Sequence, residues 1–410
     1  MINIIWGGMF LTAILAAIFK LAILGDIDCF NRIVQAIFDS ASSAVDISIG
    51  LIGILSFWLG ILRLIEKTGI AETISKKLSP LFRIIMKDIP SNSPAISTVV
   101  LNMSANFLGL DNAATPMGLK AMEQLQEHNK QKDTASDAQI LFMILNASSV
   151  TLIPITIFMY RAKLGATYPT EVFIPILLAT SVSTLVGFLL VAIKQKISLS
   201  NPILLKWLIS FAIIIVGLSA LFLIIPADKR LLLSSGIGNI ILVLLLGYII
   251  FKALKCKLSS YELFIDGAKE GFFVAINILP YLVSMLVAIA VFRACGILDI
   301  ITDNIKLACT TLGIDNSFVD ALPVAFMKPL SGSGARAMMI ETMQNYGANS
   351  FASFVASVVQ GSTETTFYVL TVYFGAVKIS KMRYALKYAL ISDLAGITAA
   401  IVFSYMFYNM

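Results

Sequence analysis

Apolar runs about as long as a bilayer is thick dominate the chain. IIWGGMFLTAILAAIFKLAIL near the start and LLLSSGIGNIILVLLLGYIIF at 231–251 each reach the ~20 residues that a membrane-spanning helix needs. Charge is scarce to match. Of 410 residues, 58% are hydrophobic and 13% charged, where a soluble domain carries roughly a quarter. The first run has no basic n-region and exceeds the usual ~7–15 residues of a signal-peptide core. It is therefore expected to stay as a helix. The sequence predicts an all-α polytopic membrane protein.

The net charge of +6 is no nucleic-acid footprint, because the basic residues are scattered in short loops. That pattern anchors cytoplasmic loops, and no nucleic acid is expected as a partner. Cys29, Cys256, Cys295 and Cys309 show no C-x-x-C spacing, and His128, in a polar loop, is the only histidine. Neither a metal site nor a cofactor follows from such ligands.

The chain repeats itself. FDSASSAVDISIGLIGILSFWLGILRLIEKTGIAETI at 38–74 aligns without gaps on IDGAKEGFFVAINILPYLVSMLVAIAVFRACGILDII at 265–301, with Gly69 over Gly296. GLDNAATPMGLKAM at 109–122 takes the place of GSGARAMMIETM at 332–343, and ILNASSVTLIPI at 144–155 that of VVQGSTETTFYV at 358–369. The predicted organisation is an N-terminal helix in 1–27, a first repeat in 28–197, two linker helices in 198–257 and a second repeat in 258–410. After its first spanning helix, half one carries Arg63, Lys67, Lys76, Lys77, Arg83 and Lys87, against Arg293 and Lys306 in half two. Before the last helix the bias reverses: Arg161 and Lys163 against Lys378, Lys381, Arg383 and Lys387. Basic loops stay cytoplasmic, so the halves are expected to be inverted. Spans are predicted at 3–24, 47–65, 137–160, 171–193, 203–226, 231–251, 271–292, 351–377 and 384–408. Re-entrant hairpins are predicted from 94 and over 323–343. The Lys229-Arg230 turn is the one basic loop this threading leaves outside.

Polar residues interrupt the apolar segments twice in each half. A tight tip, Gly109-Leu110-Asp111-Asn112, matches Ser331-Gly332-Ser333-Gly334, and a broken helix, Asn146-Ala147-Ser148-Ser149 with Pro154, matches Gln360-Gly361-Ser362-Thr363-Glu364. Broken backbone at membrane depth must face protein or a wet cavity, and transporters hold solutes and ions on such half-helix ends. The candidate solute- or ion-binding residues are Asn106, Asp111, Asn112, Asn146, Ser148, Ser149, Ser331, Ser333, Arg336, Gln360, Ser362, Thr363, Glu364, Thr365 and Asp393. Hydroxyl and glycine runs also serve close helix packing, which is the other reading of Ser148-Ser149. Glu364 costs roughly 2.5 kcal/mol or more at mid-membrane. It needs a partner, and Arg336 and Lys328 on the facing hairpin are the candidate cations, with Lys120 their half-one counterpart. A structural ion pair with Arg336 is the alternative to a solute or ion role.

MSANFLGLDNAATPMGLKAMEQLQ and NASSVTLIP resemble the spore maturation protein A family, whereas PLSGSGARAM and VVQGSTETTFYVLTVYFGAVKISKMRYAL resemble spore maturation protein B. The resemblance covers nearly the whole chain and joins the two in one polypeptide. Both families carry the nucleoside-recognition, or gate, domain, which is also similar to segments of concentrative nucleoside carriers and of the bacterial ferrous-iron transporter. No G-x-x-x-x-G-K-[ST] occurs here, which argues against the latter. The resemblance implies a multi-pass protein of the bacterial inner (plasma) membrane, linked in spore formers to dehydration of the spore core. It also implies a nucleoside as candidate ligand. The leading expectation is a permease-like protein and not an enzyme; the alternative is a non-transporting scaffold or signalling component of envelope assembly. Expected partners are the lipid bilayer, a small polar solute, a coupling proton or cation and, in a homo-oligomer, further copies of the chain.

Overall fold

A computed structural model describes residues 2–90, 93–109 and 111–408, with backbone alone at 2 and 111–113. Among the described residues the chain is helical, with one isolated bridge between Thr134 and Lys381. Helix α1 (Ile2–Leu24) precedes a first series: α2 (Asp28–Thr68), α3 (Ile70–Ile85), α4 (Pro94–Phe107), α5 (Asp111–Glu127), α6 (Asp137–Ala147), α7 (Ile155–Lys163) and α8 (Phe173–Lys194). Two helices, α9 (Pro202–Ile224) and α10 (Ala227–Lys255), lead to a second series: α11 (Ser260–Ala294), α12 (Ile297–Thr311), α13 (Leu322–Met327), α14 (Gly332–Tyr346), α15 (Phe351–Ser362), α16 (Thr366–Ala376) and α17 (Ala385–Phe407). Each series runs long helix, amphipathic helix, short helical pair, broken helix, long helix. Seven helices among the described residues, α1, α2, α8, α9, α10, α11 and α17, are long and apolar enough to cross a membrane. This is a multi-pass membrane protein.

Two expectations need correction. The spans placed at 47–65 and 271–292 are parts of helices of 41 and 35 residues. At 1.5 Å per residue α2 is about 60 Å long, roughly twice the hydrocarbon thickness. The polar stretch FDSASSAVD does not stop it, because Asp39 and Asp46 sit at exposed positions on the helix. The stop comes at Gly69, whose φ of 68° is left-handed and suits a residue without Cβ. The basic connectors, in turn, are helices. Amphipathic α3 buries Ile70, Ala71, Phe82 and Ile85 and exposes Lys76, Lys77 and Arg83. Its counterpart α12 likewise starts after a left-handed glycine, Gly296 at φ 81°.

Packing pairs equivalent elements. The most extensive interface joins α2 to α11, and α8 pairs with α17; α6 lies against α17 as α15 lies against α8. Small residues allow these crossings. A Cβ on Gly271 would come within 2.5 Å of Ser56 Cα, and one on Gly267 within 2.5 Å of the Leu59 carbonyl oxygen. Between α8 and α17 the motif is the same on both sides, Ser183-x-x-x-Gly187 facing Ser392-x-x-x-Gly396. Ser183 Oγ donates to the Ser392 carbonyl at 2.9 Å.

Loops gather at two ends. At one, Ser93 Oγ lies 2.9 Å from His128, Arg383 pairs with Asp137 at 2.7 Å and Gln195 Nε2 donates to Tyr384 Oη at 2.9 Å. At the other, Lys306 pairs with Asp320 at 2.9 Å, the Thr167 amide donates to Asn349 at 2.8 Å and Tyr408 Oη to the Asn349 carbonyl at 2.6 Å. Arg230 belongs to the second end as well. It donates to the carbonyls of Met406 at 2.7 Å and Ile225 at 2.9 Å, satisfying helix-terminal oxygens there. Its position follows from that capping rather than from loop charge.

Candidate functional site

Four interruptions of helix meet in the middle of the molecule. In the first hairpin, Ser93 caps α4 through the Ala95 amide at 3.2 Å, with Pro94 at the first helical position. The turn after α4 passes through Gly109 at φ 74°. In the second, Ser331 Oγ accepts from the Gly334 amide at 3.0 Å and starts α14. The break between α6 and α7 spans residues 148–154 and ends at Pro154, which opens α7. The break between α15 and α16 is short and extended, with Thr363 at φ −148°, ψ 172°.

Backbone groups freed at the breaks are recovered by neighbouring breaks and hairpins, as a bilayer interior demands. The Leu152 amide donates to the Phe107 carbonyl at 2.9 Å, and in the other half the Phe367 amide donates to the Pro329 carbonyl at 3.1 Å. Each break is thus tied to the first arm of its own hairpin. The Glu364 amide crosses between halves to the Ala147 carbonyl at 2.8 Å.

A cavity of about 110 Å³ sits at this junction. Its walls include Thr151, Pro154, Thr156 and Tyr160 from the first break and α7, Lys328, Arg336 and Met339 from the second hairpin, Gln360, Thr363 and Glu364 from the second break, and Gly109 from the first tip. Three of these lining residues, Tyr160, Gln360 and Thr363, have a buried side-chain oxygen without a hydrogen-bond partner among the described residues. Unsatisfied groups of this kind are costly unless something occupies the space beside them. Arg336 places its guanidinium 5.8 Å from the centre of the Tyr160 ring, in cation–π range. The ion pair expected between Arg336 and Glu364 does not form among the described residues.

Of the residues singled out from the sequence, Arg336, Gln360, Thr363 and Glu364 line the cavity. Others stand behind it. Asn106 Nδ2 donates to Asn146 Oδ1 at 2.8 Å, locking hairpin to break. Ser148 Oγ and Ser362 Oγ return to their own helices, at Ile144 and Val359 (2.8 Å each), and Ser149 is buried. Ser331 and Ser333 form the hairpin cap, their hydroxyls 3.3 Å apart. Thr365 presses on the hairpin tip, its Oγ1 2.7 Å from where a Cβ on Gly332 would stand. Asp393 is buried in α17 outside the cavity wall. The side chains of Asp111 and Asn112 lie outside the described residues. Lys120 is exposed.

Sequence reasoning missed Thr151, Thr156, Tyr160 and Met339. It included Pro154 in the first break but took the binding residues from Asn146, Ser148 and Ser149, whereas the cavity opens on the far side, at the start of α7. Pro154 carried the signal, because proline at a helix start marks where the second half-helix begins.

The Gate family, described as nucleoside recognition, matches residues 48–166 and 275–380. Spore maturation protein B of Bacillus subtilis (strain 168) is 47% identical over 160 residues, 39% of this chain and 88% of that protein. Spore maturation protein A of the same organism is 37% identical over 183 residues, 45% of this chain and 90% of that protein. No solved structure matches. The two blocks of the family match contain the hairpins and breaks that build the cavity, and the chain belongs to the Gate nucleoside-recognition family.

Proposed function

We propose that this protein is a permease that binds a small polar solute, a nucleoside being the first candidate, in the cavity between its two halves. The observation that carries this reading is the cavity itself. It is walled by elements of both halves, and Tyr160 and Gln360 of its lining each carry an unpartnered buried oxygen. Glu364 is half-buried at its wall and contacts the solute. Lys328 and Arg336 balance its charge, and the Tyr160 ring offers an apolar face.

Size constrains the cycle. A cavity of 110 Å³ is smaller than the ~300–1,000 Å³ of pockets that enclose drug-sized ligands. A nucleoside therefore enters only when hairpins and breaks draw apart. Inverted halves moving against each other supply that motion. The inversion is supported by the loop charges and by the hairpin bases, Ser93 with His128 lying at one end and Asp320 with Tyr346 at the other.

The test is binding of radiolabelled nucleosides to purified protein, with and without Glu364→Gln. Affinity is expected to fall at least tenfold in the variant, the loss of one charge-assisted hydrogen bond being worth about 1.5–3 kcal/mol. Equal binding in both removes Glu364 from the site. A second reading, a non-transporting component of envelope maturation, draws on the names of the two relatives, which speak of spore maturation and not of transport. It predicts no solute flux in proteoliposomes.

A further inference from the structure

We infer that Asp393, Thr363 and Thr366 form a binding site for a small monovalent cation, sodium, behind the second helix break. Asp393 is 1% exposed, and neither of its carboxylate oxygens has a hydrogen-bond partner among the described residues. The hydroxyls of Thr363 and Thr366 face that carboxylate, yet both are likewise unpartnered and buried. Two carboxylate and two hydroxyl oxygens thus lie buried close together, each without a hydrogen-bond partner among the described residues. Oxygen-only surroundings suit a hard cation. α15 ends at Ser362, next to Thr363; a helix C-terminus leaves its last carbonyls without an intrahelical partner and favours positive charge.

The opposite half shows that structure alone does not require an acid here. In the shared Ser-x-x-x-Gly motif, Thr184 follows Ser183 as Asp393 follows Ser392. Thr184 donates its hydroxyl to the Ser148 carbonyl and closes the first break with a neutral hydrogen bond. At the second break an acid replaces it, and its oxygens have no hydrogen-bond partner among the described residues. An intramembrane carboxylate costs at least about 2.5 kcal/mol, so its retention calls for a ligand. The charged groups near Asp393 are Lys328 on the hairpin and Glu364 at the break; α8, facing it from the other side, has no charged residue before Lys194.

The site explains how a cation would bear on the cavity. Thr363 belongs to both, lining the cavity and facing Asp393. Its methyl is wedged against α17, with Cγ2 2.6 Å from where a Cβ on Gly396 would stand. Cation binding then fixes the non-helical residues 363–365, which include Glu364 and follow directly on the helix that carries Gln360. Coupling in this sense rests on the permease reading; occupancy of the site does not.

The test uses the full chain in detergent, without solute. Its thermal midpoint is followed across NaCl, KCl and choline chloride titrations at constant ionic strength and at two pH values. Sodium at a hundredfold excess over its Kd is expected to raise Tm by about 3 °C, with no response to choline. Asp393→Asn should abolish the rise and Thr366→Val should weaken apparent affinity at least tenfold; the latter keeps side-chain shape and serves if the former does not fold. Identical midpoints in all three salts overturn the proposal. So does a sodium response that survives both substitutions, or a midpoint that follows pH and ignores sodium, which would mark a protonated carboxyl. Because no solute is present, failure here leaves nucleoside binding untouched, and failure of nucleoside binding leaves the sodium response standing.

Discussion

Arg161 is the largest fully buried side chain among the described residues, 0% exposed at the end of α7. It pairs with Glu171, just before α8, and its Nη1 donates to Ser357 Oγ of α15 at 3.1 Å. One residue therefore pins the second half of a broken helix to a spanning helix and to the opposite repeat. Its Nε has no partner among the described residues, so the pair is not fully satisfied, and buried pairs of this kind are poor sources of net stability. The consequence is testable. Arg161→Met alone strands a buried carboxylate and is expected to destabilise the fold by about 3–5 kcal/mol, whereas Arg161→Met with Glu171→Met should regain most of that loss. Thermal unfolding of both purified variants separates the outcomes, and equal loss in the two would sink the argument. The sequence counted Arg161 among loop charges, since a basic residue beside Lys163, Gly165 and Thr167 looks solvated. Only the tertiary approach of Ser357 and Glu171 reveals otherwise. Glu364, by contrast, was legible, because an acid flanked by hydroxyls inside an apolar run is expensive wherever it lies.

At the scale of elements, apolar length located the spans, and polar interruptions located the breaks. Both signals are local, which is why they could be read along the chain. Helix ends were harder. FDSASSAVD breaks the apolar pattern without breaking the helix, since exposed Asp39 and Asp46 need no lipid on their side. Which faces touch was harder still, because glycine is silent until a neighbour is known. Gly271 and Gly217 look alike in sequence. A Cβ on the first would meet the backbone of Ser56 and Leu55 at 2.5–2.7 Å, while the second has nothing within 4 Å. Gly271→Ala is therefore expected to force α2 and α11 apart at a cost of about 1–3 kcal/mol. Gly217→Ala in lipid-facing α9 should be neutral or slightly stabilising through helix propensity. Chemical or thermal unfolding of the two variants side by side decides this; a neutral Gly271→Ala would mean the long helices do not cross so closely.

The whole molecule is organised by exchange of halves: α2 with α11, α8 with α17, α6 on α17 as α15 on α8. An inverted repeat requires equivalent loops on opposite faces of the membrane, and the amphipathic helices α3 and α12 are the equivalents easiest to reach. Cys309 lies on α12 at half exposure; Cys256 is exposed, and Cys29 and Cys295 are buried. On α3, Lys77 is exposed. In a Cys256→Ser background, a membrane-impermeant maleimide applied to intact cells is expected to label Cys309, and Cys309→Ser should abolish that signal. Adding Lys77→Cys to the doubly substituted chain introduces a thiol that reacts only after the membrane is permeabilised. A separate Cys309→Ser chain that keeps Cys256, beside Lys255 and Lys257 at the end of α10, should follow the cytoplasmic pattern and serves as the control. If positions 77 and 309 react from the same side, the halves are parallel rather than inverted. The two hairpins would then enter from one face, and a cavity reached alternately from each side by rocking one half on the other would lose its structural basis.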